Sequence, residues 1–351
     1  MTAMRSAREF SATRSLRRRD FVISAPLIGA AVTAFARQEE AEPEVPVAVV
    51  QGSSRVDGIR LAWEMLSGQE FRGKDVYVKA SYNSAHPFPA ATHPDALRAL
   101  VALLREEGCV RITLIERSGM GTTRDVWQSL AVPRLARELD LETIALDELP
   151  AGQWIKRVFA GSHWKQGFEV PRFLEQETPA VQLCNLKTHR FGGHFSASVK
   201  NALGVLAKYS KTGEDHNYMA ELHGSSDQRL MIAEACQAFS PAVSVMDAMQ
   251  VFVSEGPERG ELAAPGVIAA SRDRIALDAV GVALLRLHNA VFPGKLKDVF
   301  EQEQIKRAVE LGLGVRSPDK IRLVTRDAAS ETLAVQLKAL MADIKVDEGK
   351  P

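Results

Sequence analysis

The sequence predicts an α/β fold, an open doubly wound and mostly parallel sheet with helices on both faces, and three observations predict it. Short, apolar, partly β-branched runs alternate with helical stretches from Val45 onward. The links between them are short, which suits right-handed crossovers between parallel strands. With 351 residues, 46% hydrophobic and 25% charged, the chain has an ordinary globular composition and is long enough for a sizeable core.

Residues 45–50 (VPVAVV) read as the first strand, and residues 55–66 place Val56, Ile59, Leu61, Trp63 and Leu66 at roughly helical spacing. Residues 75–79 (DVYVK) form a second strand that passes into Ala80-Ser81-Tyr82-Asn83. A helix follows His93-Pro94-Asp95 and runs to Glu107, where Gly108 closes it. The third strand, 110–115, ends in a polar, glycine-bearing turn, 116–123, ahead of a helix over 126–138. Residues 142–176 are less regular, with strands expected at 143–146 and 155–159 and an aromatic, basic loop at His163-Trp164-Lys165. Residues 180–184 are a buried strand, and 208–226 a polar excursion over the sheet edge, where loops tend to carry binding residues. Beyond it come a helix at 227–239, a strand at 242–246, a turn at 255–260, a strand at 266–270 and a helix at 274–287 capped by Asp273. The tail adds a helix at 301–311, a strand at 321–325 and a helix at 331–344. One domain over residues 45–346 is expected, with residues 347–351 as a tail.

The first 36 residues stand apart. Residues 14–36 (RSLRRRDFVISAPLIGAAVTAFA) put Arg17, Arg18 and Arg19 before an apolar run too short, and too rich in Ala, Gly and Thr, for a transmembrane helix. The run closes on Ala34-Phe35-Ala36, small residues that a signal peptidase accepts. The arginine pair followed by Asp20-Phe21-Val22 matches the twin-arginine signal. Residues 1–36 are therefore expected to be a twin-arginine signal peptide, with an uncleaved amphipathic anchor as the alternative. Residues 37–44, rich in Glu, are expected to be a linker. The expected location is periplasmic or otherwise extracytoplasmic, with the twin-arginine machinery as partner during export and no membrane attachment after cleavage. The remaining body holds 38 basic against 42 acidic residues, no electrostatic reason to expect nucleic acid or a membrane surface. Cys109, Cys184 and Cys236 are too far apart for CxxC or ribbon spacing, so no iron–sulfur cluster ligated by this chain is expected.

The candidate chemistry converges on residues 179–204 (PAVQLCNLKTHRFGGHFSASVKNALG). A buried strand breaks into a polar turn with Asn185, Lys187, Thr188 and His189, Gly192-Gly193 follows, and Ser196 and Ser198 can cap a helix carrying Lys200 and Asn201. Cations at a strand end, beside the free N–H groups of a helix start, make a place for an anion. If the strands ending at Lys79, Glu116, Asn185 and Asp247 run parallel, their ends share the edge where open α/β folds bind ligands. Solvated lysines are the plain alternative. On this reading Lys79, Asn83, Thr188, Lys200, Asn201 and Asp247 bind an anionic small molecule, and Lys187, His189 and Asp278 are catalytic. Asp278 is the sharpest of these, because every neighbour from Ile275 to Leu285 is apolar or glycine. Its carboxylate must meet a cation such as Lys200 or Lys187, or carry a raised pKa and do proton chemistry. His189, His194 and His216 could ligate a divalent metal, although no tight signature such as HExxH is present.

In order and spacing, residues 47–325 resemble the family filed as domain of unknown function 362. The residues that carry the resemblance are the opening VAVVQG, the VYVK strand followed by Asn83, and Asn185-Leu186-Lys187-Thr188-His189. With them go Ser198-Val199-Lys200-Asn201-Ala202-Leu203-Gly204, Val245-Met246-Asp247-Ala248, the turn at 255–260, residues 270–281 and Gly312-Leu313-Gly314. The family pattern usually reads Lys-Pro-Asn after the second strand, where this chain has Lys79-Ala80-Ser81-Tyr82-Asn83. Some relatives add a ferredoxin-like cluster module, whose cysteines this chain lacks. The resemblance implies a fold and a set of positions, and no settled reaction. Two functions fit. One is an exported enzyme acting on an anionic small molecule with Lys187, His189, Lys200 and Asp278, with or without a divalent metal. The other is a non-catalytic binding protein for an anion or a metal in the same crevice.

Overall fold

The computed structural model describes residues 43–66, 71–213, 215–292 and 298–342. The chain divides into Met1–Ala41 and Glu42–Pro351, and the described residues all belong to the second unit. The expected signal peptide, most of the linker and the tail at 347–351 lie outside the described residues. No described helix is long and apolar enough to cross a membrane.

Along the described chain the strands are β1 (Val45–Gln51), β2 (Asp75–Lys79), β3 (Arg111–Glu116), β4 (Glu142–Ala145), β5 (Trp154–Arg157), β6 (Phe168–Pro171) and β7 (Ala180–Asn185). They continue with β8 (Lys187–His189), β9 (His194–Ser196), β10 (Val243–Ala248), β11 (Val251–Phe252), β12 (Leu262–Ala263), β13 (Val267–Ser271) and β14 (Ile321–Val324). The α-helices are α1 (Arg55–Met65), α2 (Pro94–Glu106), α3 (Thr123–Ser129), α4 (Val132–Glu138) and α5 (Ser198–Asn201). After them come α6 (Tyr218–Gly224), α7 (Gln228–Ala235), α8 (Arg274–Leu287), α9 (Glu303–Glu310) and α10 (Ala328–Met341).

The central sheet has the order β14-β1-β13-β10-β7-β2-β3-β4. All its neighbours pair in parallel except β13, which is antiparallel to both β1 and β10. The sheet is thus mostly parallel, as expected, and the reversal has a local cause. Residues 249–266 between β10 and β13 hold the β11–β12 hairpin and no helix, and without a crossover element the chain returns antiparallel.

Side chains alternate between two cores, one on each face of the sheet. Along β1, Val47 and Val49 face one core and Ala48 and Val50 the other; along β10, Met246 and Ala248 oppose Val243 and Val245. The first core is closed by α7, α8 and α10 through Met231, Leu277, Val280, Leu284, Leu333 and Leu337. The second is closed by α1 and α2 through Ile59, Ala62, Leu97, Leu100 and Leu104. Each fully buried aliphatic side chain contributes about 2 kcal/mol, and this large apolar burial offsets the cost of the charged groups buried at the strand ends.

Three local expectations are corrected. The single helix over 126–138 is two, because Ala131 adopts left-handed backbone (φ 54°) and Pro133 lacks the N–H that would continue the first helix. Residues 187–189, expected as a turn, are a strand paired with β9, Lys187 opposite Ser196 and His189 opposite His194. The helix from Ser198 lasts one turn and tightens into a 3-10 segment, Ala202–Val205.

Candidate functional site

Parallel pairing brings the C-terminal ends of β2, β3, β7 and β10 to one edge of the sheet. A cavity of about 300 Å³ opens there. Lys79 and Glu116 reach it from the ends of β2 and β3, Arg117 and Asn83 from the loops that follow, and Asn185 from the end of β7. The β8–β9 hairpin supplies Lys187 and His189, α5 supplies Lys200 and Asn201, and α6 supplies His223.

Lys79 and Glu116 form a closed unit. Both are almost fully buried. The Lys79 ammonium lies 3.0 Å from each Glu116 carboxylate oxygen and also donates to Ala80 O (2.6 Å) and Asn201 Oδ1 (3.0 Å). Glu116 accepts in addition from the backbone N–H groups of Tyr82 (2.7 Å) and Arg117 (2.9 Å). Burial lowers the pKa of Lys79, and Glu116 opposes the shift. Gly204 packs against this pair: a Cβ there would sit 2.4 Å from Glu116 Oε1 and 2.6 Å from Lys79 Nζ, so only glycine fits.

Lys187 and Lys200 are held differently. Lys187 Nζ donates to two backbone carbonyls, Pro89 O (3.0 Å) and Ala90 O (2.7 Å), and has no carboxylate partner among the described residues. Burial pushes its pKa down to about 7, with Lys200 and Lys79 adding repulsion. The Lys200 ammonium makes no hydrogen bond or ion pair among the described residues, and burial followed by repulsion from Arg117 lowers its pKa to about 8. Arg117 is itself buried, anchored on Leu206 O and Leu203 O.

Two imidazoles complete the lining. Burial holds His189 well below the usual histidine range, with repulsion from Lys200 and Lys187 next in size. Its Nδ1 is buried without a hydrogen-bond partner among the described residues. His223 is exposed at the rim, where partial desolvation lowers its pKa; its Nδ1 lies 2.7 Å from Met219 O, so Nδ1 carries the proton and Nε2 the lone pair. Asn185 Oδ1 and Asn201 Nδ2 are likewise buried and unpartnered. Three buried polar atoms on residues lining one cavity thus keep unused hydrogen-bonding capacity among the described residues.

Of the expected site residues, Lys79, Asn83, Lys187, His189, Lys200 and Asn201 come together around this cavity, and Thr188, Asp247, Asp278, His194 and His216 do not line it. Thr188 Oγ1 donates to Phe252 O (3.1 Å), since alternation along β8 points it away from Lys187 and His189. Asp247 is turned to Arg55 on α1 (2.7 Å). Asp278 meets neither Lys200 nor Lys187. It accepts from the backbone N–H groups of Ser198 (2.7 Å) and Val199 (3.0 Å), and so caps α5 from α8 in place of Ser196 or Ser198. Burial still raises its pKa to about 7. The three-histidine metal set is not assembled: His216 Nε2 lies 2.7 Å from Glu221, and no group of three or more His, Cys, Asp or Glu is placed to hold a metal among the described residues. The turn at 116–123 offers no free phosphate cradle, as Ser118 N–H bonds Thr123 Oγ1 and Gly119 N–H bonds Asn83 Oδ1.

Asn185 and Arg117 stand in the sequence as a strand end and part of a turn without assigned roles, and His223, on a polar loop with His216, reads only as a further imidazole for a metal. The only signal for them was position, at or after elements that reach the carboxyl edge.

A mostly parallel α/β sheet with a cationic cavity at its carboxyl edge defines the class of protein. The chain belongs to the family described as Domain of unknown function (DUF362), which it matches over residues 76–283. It is similar to a thylakoid-associated protein of Synechocystis sp., with 24% identity over 208 residues, 58% of this chain and 59% of that protein's length. Among solved structures it is similar to the lactate racemase apoprotein of Thermoanaerobacterium thermosaccharolyticum, at 13% identity and a TM-score of 0.41, covering 71% of this chain and 56% of that one.

Proposed function

We propose that this protein is an exported enzyme that binds a small organic anion in the carboxyl-edge cavity and acts on it by proton transfer. One observation carries the reading: four basic side chains, Lys79, Arg117, Lys187 and Lys200, line the cavity against a single carboxylate among the described residues, Glu116, which is already paired with Lys79. A carboxylate or phosphate offsets that excess, with each charge-assisted hydrogen bond worth about 1.5–3 kcal/mol. Beside it, burial and cationic neighbours keep His189 neutral, the state a general base requires, and His223 at the exposed rim is lowered in the same direction.

Calorimetric titration with acetate, oxalate, pyruvate and phosphate tests the reading. One anion bound per chain is expected, weakened about 10- to 100-fold in Lys200→Met, the size of one lost charge-assisted bond. Failure of all four to bind sinks the proposal, and binding with no turnover of any bound anion leaves a binding protein. Export rests on the arginine pair in residues 14–36. Replacing Arg18 and Arg19 with Lys should retain the precursor in the cytoplasm, and unchanged export would remove this part of the proposal.

A further inference from the structure

Lys187 brings an amine to the cavity wall with its donors already satisfied, and its assignment as a nucleophile rests on the anion-binding reading above. A neutral amine has two N–H donors and one lone pair. Lys187 Nζ has two acceptors in reach, Pro89 O and Ala90 O, which together match the two donors and leave the lone pair as the unused position on a side chain that lines the cavity. No carboxylate among the described residues contacts the nitrogen, so nothing nearby fixes it as an ammonium, in contrast to Lys79. Desolvation and neighbouring cations are the two conditions that make a lysine amine nucleophilic, and Lys187 has both. Around it stand Lys200, unpartnered among the described residues, and His189, whose Nδ1 is free of any hydrogen bond. Lys200 and His189 flank one point: a Cβ on Gly193 would lie 2.9 Å from Lys200 Cε and 3.2 Å from His189 Nδ1.

We infer that the Lys187 amine condenses with the carbonyl carbon of a small 2-oxo carboxylate held in the cavity, forming an imine and releasing water. The amine nitrogen bonds to the carbonyl carbon to give a carbinolamine. The carbon–oxygen bond then breaks, and oxygen leaves as water with the two protons that the amine brought. No oxidant or reductant is consumed. Lys200 and Arg117 supply the positive charge for the carboxylate, and the neutral imidazoles of His189 and His223 accept and return protons as the carbinolamine forms and dehydrates. Protonated on nitrogen, the imine draws electrons from the adjacent carbon, so the reaction it serves is proton exchange beside the carbonyl, with an imidazole as acceptor.

The test is reductive trapping. Full-length protein is incubated with pyruvate, and separately with glyoxylate, in the presence of sodium cyanoborohydride, then digested and mapped by mass spectrometry. One reduced adduct is expected, on Lys187, labelled on the order of a hundredfold faster than an exposed lysine near pH 8, the ratio of their neutral fractions. The site is read from the natural chain and needs no variant. The natural protein is expected to catalyse deuterium exchange at the methyl group of pyruvate, and Lys187→Arg, checked by circular dichroism, should lose both the adduct and this exchange. Calorimetry on the same samples separates the two failures. If pyruvate binds but Lys187 carries no adduct, or carries no more than exposed lysines, the nucleophile is overturned while the anion site stands. If neither 2-oxo acid binds, the inference falls, and the other anions decide whether the site itself survives.

Discussion

Lys79 ends β2, and Lys187 opens β8 just beyond the end of the neighbouring strand β7; both are buried, and they are held in opposite ways. Lys79 closes on Glu116, a carboxylate whose other lone pairs are taken by backbone N–H groups, and Gly204 seals the pair. Lys187 Nζ bonds only to carbonyl oxygens among the described residues. Burial lowers both pKa values, but only Lys79 has a counter-charge that opposes the shift by direct hydrogen bonding. The same residue type at the same sheet edge is therefore a structural ion pair in one case and a group available for chemistry in the other.

The largest test of this contrast is Lys79→Met. It leaves Glu116 buried without its cation, and urea unfolding should show a loss of about 3–5 kcal/mol. A loss below about 1 kcal/mol would mean that the pair does not act as a buried ion pair. Lys187 makes the opposite prediction. Its folded pKa, about 7, lies below the unfolded value of 10.5, so between those limits the unfolded chain binds the extra proton and stability rises with pH. The slope contributed should approach about 1.4 kcal/mol per pH unit and vanish in Lys187→Met. Gly204→Ala forces a methyl group against the Lys79–Glu116 pair and should cost about 1–3 kcal/mol, read from the same urea curves. An unchanged midpoint would show that the pair yields easily. The smallest effect is expected at Asp278, whose replacement by Asn loses one of two accepted backbone bonds, about 1 kcal/mol. The folded pKa of Asp278 is raised to about 7 from 3.8, so its contribution to stability falls as pH rises through that window. Asp278→Asn should remove this fall, and its persistence would assign it to another group.

The placement of these lysines was readable in the sequence, and the contrast between them was not. Parallel strand order placed Lys79, Lys187, His189 and Lys200 at one edge, because crossover connections leave parallel strands little choice of direction. What could not be read depended on long-range placement or on period. Thr188 was assigned to the site because residues 187–189 looked like a turn; as a strand, its alternation sends Thr188 away from its neighbours. The partner of Asp278 is backbone 79 and 80 residues away, and no residue type announces a backbone N–H. Arg117 and His223 join the cavity through segments that meet only after the chain has folded over the sheet edge. The reversal of β13 follows from a missing helix between β10 and β13, which the turn at 255–260 marked only faintly.

The central claim is that Lys187 reaches neutrality near physiological pH while remaining buried in the fold. The direct measurement is an NMR titration of the Lys187 side chain, assigned by its absence in Lys187→Met. A midpoint near pH 7 is the expected result. A midpoint near that of an ordinary lysine, about 10.4, would make Lys187 a permanent cation and would contradict the account.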